Sequence, residues 1–205
     1  MKVHWIEAPT AYDGSQLRAH WILQHCGIVG DALVAFRGPC RGAMEEIADL
    51  ADIDGPGIAA FDMIHFVWES FAEPGLLLAV HRQRLLSAQA AEVLRAMAPT
   101  AIVQRRGDDL WVGPGKLSIS IATVTPVSSL IHFAVNASQG GAPVTIAALS
   151  ELAVDGYQFA VNLLARAAEE QASIGDARAK VRPKSEAVSR RSRAARAFTR
   201  ASSGT

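Results

Sequence analysis

Three short stretches alternate apolar and polar residues with the period of a strand. Lys2 to Glu7 is rich in Val, Trp and Ile, and Pro9 closes it because proline donates no ladder hydrogen bond. Met63 to Phe71 mixes β-branched and aromatic residues, with His65 and Glu69 on one face and Ile64, Phe66 and Trp68 on the other. Ser129 to Asn136 sets His132 and Asn136 four apart, which on a strand puts both on the same side. Asp31 to Arg37 is instead a continuous apolar run ended by Gly38-Pro39, the pattern of a buried strand that hands Arg37 and Cys40 to a loop.

Helical spacing fills the intervals. Ser15 is placed to cap a helix of about three turns through Leu17, Trp21, Ile22 and Leu23 to Gly27. Met44 to Leu50 suits a short acidic helix, and the run from Asp52 to Gly57 breaks the chain. Leu76 to Met97 predicts the longest helix, with apolar positions at 77, 80, 85, 86, 93 and 94 and Pro99 as its stop. A β-rich centre follows, at Ala101 to Arg105, Asp109 to Val112, Leu117 to Val124 and Ser129 to Asn136, with Gly113-Pro114-Gly115 making 109–124 a hairpin candidate. Gly140 to Pro143 is a turn, Val144 to Leu149 is open between strand and helix start, and Asp155 to Ser173 is an amphipathic helix turning Phe159, Leu163 and Leu164 inward. Strands and helices in this order predict an α+β domain, a mixed or mainly antiparallel sheet with helices packed on one side.

Composition narrows this picture. Half of the 205 residues are apolar, enough to bury a substantial core. No apolar leader core follows Met1 and no run approaches the roughly 20 apolar residues of a membrane span, so a soluble, cytoplasmic protein is expected. Two cysteines are too few for a disulfide framework. The zero net charge sums two opposite parts: from Arg178 onward nine Lys or Arg face the single acid Glu186, leaving 11 basic and 19 acidic residues before it. That segregation divides the chain into a mildly acidic domain over 1–177 and a basic, disordered tail over 178–205. Arg190, Arg191, Arg193 and Arg196 could make weak, salt-dependent nucleic-acid contacts or stay solvated, and Phe198 alone supplies no stacking platform.

Candidate chemistry concentrates between Arg105 and Asn136. Arg105, Arg106, Asp108, Asp109 and Lys116 cluster around the hairpin, with Ser118 next along the strand and His132 and Asn136 beyond it. A lysine desolvated beside a sheet holds a phosphate or polarises a carbonyl because its charge is poorly screened; after Gly-Pro-Gly it equally suits a solvated turn. Cys40, in a Gly-Pro-Cys-Arg-Gly loop beside Arg37 and Arg41, is a candidate nucleophile, since neighbouring cations lower a thiol's pKa. His65 and Glu69 could act as acid and base or bind a ligand, or form a structural pair. His20 and His25 are five apart and no paired-Cys pattern occurs, so no metal site is expected.

Val3 to Glu7, Tyr12 to Arg18, Ala35 to Cys40, His81 to Leu86 and Lys116 to Asn136 together resemble an uncharacterised, largely archaeal family, domain of unknown function 366, over nearly all of residues 1–183. More distantly, Asp108-Asp109, Gly113 to Gly115, Lys116 to Ile121 and His132 to Asn136 resemble, in order and spacing, the biotin and lipoate protein ligases of the class II aminoacyl-tRNA synthetase fold. That resemblance implies a small acyl- or adenylyl-type transferase or ligase. Lys116 would meet the acyl carbonyl or adenylate phosphate, and Asp109 would orient it or help hold a metal-bound nucleotide. Those ligases wrap acyl chain and nucleotide in a glycine-rich segment, whereas the corresponding Asp62 to Phe71 has no glycine, which leaves ATP and Mg open as cofactors. A catalytically silent protein binding a small acyl or nucleotide-like ligand in the same cleft is the alternative, and a nucleic-acid role for the tail a further one.

Overall fold

The computed structural model describes residues 1–42, 46, 48–50 and 57–181. Of the short acidic helix expected over 44–50 only residues 46 and 48–50 are described, and of the breaker over 52–57 only Gly57; nearly all of the basic tail lies outside the described residues. Contacts divide the chain into two units, Met1–Gln171 and Ala172–Thr205. The sheets, cores and cavity belong to the first; the described part of the second is helical to Lys180 and exposed.

The main sheet has five strands in the order β1 (Lys2–Trp5), β2 (Ala32–Arg41), β3 (Ala59–Ser70), β8 (Ser129–Asn136) and β7 (Ser118–Val124). β1 runs parallel to β2 and every other pair is antiparallel, so the sheet is mixed. A second sheet joins β4 (Val103–Arg106), β5 (Asp109–Val112) and β6 (Gly115–Lys116). The hairpin expected over 109–124 therefore stops at Leu117, where the chain leaves β6 for the edge of the main sheet. Leu117 still bonds to Leu110 across the small sheet while its carbonyl accepts from the Asn136 amide of β8, so one residue belongs to both.

Helices α2 (Leu76–Met97) and α3 (Gly156–Lys180) contribute to the core on one face of the main sheet, where Phe66 of β3 meets Phe133 and Phe159. The buried side of α2 follows the apolar positions read from the sequence at Leu86 and Leu94 but not at Leu77, which is exposed, and it adds the small or polar residues Ala79, Gln83, Ser87 and Ala90. Small residues let the helix approach the sheet closely, and its buried Gln83 and Ser87 have partners on β7 and in the turn before β5, whereas the buried Gln89 Nε2 has none among the described residues. The opposite face is covered by Tyr12, Trp21 and Ile22, packed on Val34, Phe36, Met63 and Val67.

Two boundaries differ from expectation for local reasons. The first helix, α1, is confined to Trp21–Cys26, because Ser15 is held in a turn by Asp13 and His20 takes a left-handed conformation (φ 67°) just before the helix. β2 does not end at Gly38-Pro39 but continues through Cys40 to Arg41, crossing a register shift against β3. Pro39 is tolerated because that side of β2 is covered only by the irregular segment 10–12, whose Thr10 and Tyr12 amides donate to the Arg37 and Pro39 carbonyls and whose Tyr12 carbonyl accepts from Arg41, so no bond is asked of the Pro39 nitrogen. Among the described residues no helix is long and apolar enough to cross a membrane.

Truncating the ring shared by sheet and helix tests this packing. Phe66→Ala should cost about 3–5 kcal/mol of unfolding free energy, read from the urea midpoint; a loss below about 1 kcal/mol would mean that the core is not built around this side chain.

Candidate functional site

A cavity of about 480 Å³ opens on the second face of the main sheet, within the range of small-molecule sites. β7 and β8 supply Ser118, Ser120, His132 and Asn136, the small sheet supplies Asp108, Asp109 and Lys116, and Tyr12 and Asp13 enter from the segment before α1. Described residues of the β2–β3 connection, among them Glu46, Asp49 and Ile58, complete the wall.

Lys116 and Asp109 form its charged edge. The Lys116 Nζ lies 3.0 Å from Asp109 Oδ2, with the two side chains 30% and 25% exposed. Gly115, just before, has no room for a side chain: a Cβ would strike the backbone of Ile146 and Ala147. The segment 145–147 brackets Lys116 by two backbone hydrogen bonds, so the stretch Val144 to Leu149, left open between strand and helix start, supplies at Ile146 an isolated bridge that fixes the lysine's backbone. Burial pushes the Asp109 carboxyl above its usual range, against the opposing pull of Lys116. Asp108 is held from α2, accepting from Gln83 Nε2 at 2.8 Å and facing Arg84 at 3.2 Å. The same Gln83 amide donates to Ser120 Oγ, which donates to the His132 carbonyl.

At the sheet surface lies a pair of imidazoles. His65 Nδ1 and His132 Nε2 are 3.0 Å apart, and His65 Nε2 is 3.1 Å from the Gly38 carbonyl. The Tyr12 ring stacks on His132 at a centroid distance of 3.6 Å and 8° between planes. Burial lowers the His65 pKa to about 4 and moves His132 the same way, with the neighbouring His65 adding to the effect. Both rings are neutral at pH 7.

The other sequence candidates have different places. Ser118 Oγ is buried and accepts from the Leu110 amide, and Asn136 spends its amide on the Lys116 and Ala147 carbonyls, so both line the cavity as braces. Glu69 shares a face with His65 but accepts from the His20 amide and the Ser128 hydroxyl, outside the cavity. Arg37 is exposed and clasps Asp62 through two hydrogen bonds of 2.8 and 2.7 Å. Arg105 and Arg106 are exposed on the small sheet, the first bonded to the Gly107 carbonyl and the second to Gln104 and over the Trp111 ring; neither lines the cavity.

Cys40 requires a correction. It is not a loop thiol activated by Arg37 and Arg41 but a fully buried strand residue, and burial pushes its pKa up to about 12. Tyr12, Gln83 and Ser120 were missed as site residues. Tyr12 and Gln83 sit inside two of the segments that carry the family resemblance, but a lone tyrosine before a turn and a glutamine on a helix announce no chemistry by pattern.

Two predictions follow from these environments. In the native protein an aromatic disulfide reagent should modify Cys26, which is partly exposed, well before Cys40; equal rates would place Cys40 outside the core. The buried histidines should make stability fall with acid: below about pH 6.5 the unfolded chain takes up protons that the native rings, titrating at lower pH, do not bind. The urea midpoint should therefore drop from pH 6.5 toward about 4, where His65 itself titrates, and drop less in His65→Gln. An equal drop in that variant would assign the slope to other groups.

Comparison with known proteins agrees with this architecture. A solved protein of unknown function from Pyrococcus horikoshi superposes with a TM-score of 0.83 at 38% identity, covering 89% of this chain and 99% of that one. An uncharacterised protein of Methanocaldococcus jannaschii is 32% identical over 160 residues, 75% of this chain and 72% of its own. The biotin protein ligase from Aquifex aeolicus, solved with biotin and ATP, shares the fold at a TM-score of 0.58 and 12% identity, over 81% of this chain and 69% of that one. The model for the family described as Domain of unknown function (DUF366) matches residues 1–182, and the chain belongs to that family.

Proposed function

We propose that this protein is a small acyl- or adenylyl-type transferase or ligase whose substrate lies in the cavity beside Lys116. The observation that carries the reading is the Lys116–Asp109 pair on the wall of a ligand-sized cavity, within a biotin ligase-like fold. An ammonium has three donors and Asp109 takes one, which leaves donors for a ligand on a residue whose backbone is clamped on both sides. A carboxylate, acyl carbonyl or phosphate oxygen that gathers negative charge during acyl transfer would gain most from such a fixed cation, because the surrounding protein is already organised around it. Asp109 holds the ammonium in place, and the Arg84–Asp108–Gln83 group keeps the small sheet against α2.

A specific observation favours the second reading, a ligand-binding protein without turnover. Asp62 to Phe71, where the ligases would carry glycines, is almost entirely a regular strand at the centre of the sheet, and Asp62 is occupied by Arg37 and Ser138. If a nucleotide binds, the described residues of the β2–β3 connection that line the cavity, such as Gly42, Gly57 and Ile58, are the part of the wall left to receive it.

A thermal-shift screen of medium-chain carboxylic acids, with and without ATP and Mg²⁺, tests both. A binding acid should raise the melting temperature, and Lys116→Ala should weaken that binding at least about tenfold while the unliganded melting temperature stays near wild type. Diphosphate release on adding ATP to the bound acid supports the ligase; stabilisation with no release supports the binding protein. Binding unchanged by Lys116→Ala would sink both.

A further inference from the structure

The hydrogen bonds of the two buried imidazoles fix where their protons lie. A carbonyl oxygen only accepts, so the His65 Nε2 that faces Gly38 carries hydrogen. Neutral His65 then has a bare Nδ1, which faces His132 Nε2 at 3.0 Å, and His132 Nε2 must be the donor. Among the described residues nothing donates to His132 Nδ1, so the series ends there with a lone pair. His132 lines the cavity and His65 does not, and the Tyr12 ring lying flat on His132 holds its plane. Met63, Ala60 and Ile119 make the neighbouring wall apolar, so an acceptor there gains from a neutral donor more than from an ion that would have to shed its water.

We propose that His132 Nδ1 is a hydrogen-bond acceptor of the cavity, held in one tautomer by His65 and the Gly38 carbonyl, and that the ligand carries an uncharged N–H or O–H donor at its buried end. This rests on the reading of the cavity as the site of an acyl ligand. It narrows that ligand to a two-ended molecule, with a carboxylate or acyl group toward Lys116 and an amide, urea or hydroxyl toward His132. A plain hydrocarbon tail would leave the lone pair without a partner.

Three acids of equal length serve as probes on the full chain by calorimetry: octanoate, ω-hydroxyoctanoate and the monoamide of octanedioic acid. The hydroxyl and amide acids should bind roughly three- to tenfold tighter than octanoate, the factor of one neutral hydrogen bond. His132→Phe, which keeps a flat ring for Tyr12, should bring the three affinities together. Nitrogen chemical shifts of histidine-labelled wild type need no variant: both rings should show protonated Nε2 and bare Nδ1. A protonated Nδ1 on His132, octanoate binding as well as the others, or no binding by any of the three overturns the proposal. If all three bind equally and Lys116→Ala abolishes them, the His132 assignment falls while the acyl site stands. A donor preference that survives Lys116→Ala at undiminished affinity would instead remove the role of Lys116.

Discussion

The hydrogen bond from His65 to the Gly38 carbonyl sits where the register between β2 and β3 shifts, and the second face of the sheet is organised around it. β3 is the central strand, buried on both sides, so each polar side chain it carries must find a partner within the protein. On the helix-covered face it carries Ile64, Phe66 and Trp68, and there the Trp68 indole N–H is the one polar group, buried without a partner among the described residues. On the other face His65 is answered by Gly38 and His132, and Glu69 by the His20 amide and the Ser128 hydroxyl. These bonds reach to three different segments. They decide how the stretch from Tyr12 to His20 lies across the sheet, and so where one wall of the cavity stands.

Period-two patterns were legible wherever a strand has one consistent environment per face. His65 with Glu69, and His132 with Asn136, do share the faces that alternation assigned to them, and β1, β3, β8 and the long α2 lie close to where their residues predict. Failures occur where a tertiary partner overrides the local signal. Gly38-Pro39 reads as the end of a strand, yet the strand continues because segment 10–12 pairs beside it, and no pattern in residues 31–41 announces that neighbour. The helix expected from Ser15 is delayed to Trp21 because Asp13 and Gln16 close a turn of their own and Glu69, far along the chain, holds the His20 amide.

The same distinction separates the candidate site residues. Lys116, Asp108, Asp109, Ser118, His132 and Asn136 are gathered around one cavity, because their segment crosses from the small sheet to the large one at Leu117. Arg37, Arg105 and Arg106 share the composition of a binding site without its placement, and each is occupied by a nearby acceptor. Charge type suggested a binding role, but burial and strand direction determine placement, and those depend on residues distant in sequence. For Cys40 the positive neighbours are real in sequence, but a low-dielectric core raises a thiol's pKa and denies reagents access to it.

Gly38 also constrains how the sequence can drift. A Cβ at this position would run into the Thr10 backbone, so even alanine would push segment 10–12 off β2. Tyr12 would leave with it, uncovering the His132 ring from 94 residues away in the chain and on a different strand. A single methyl group, placed outside the cavity and changing no charge, would thus erase one wall of it. A homologue could keep every polar side chain of the cavity and still lack the cavity, so inheritance of this site must be judged by the backbone contacts that shape it as well as by its chemical groups.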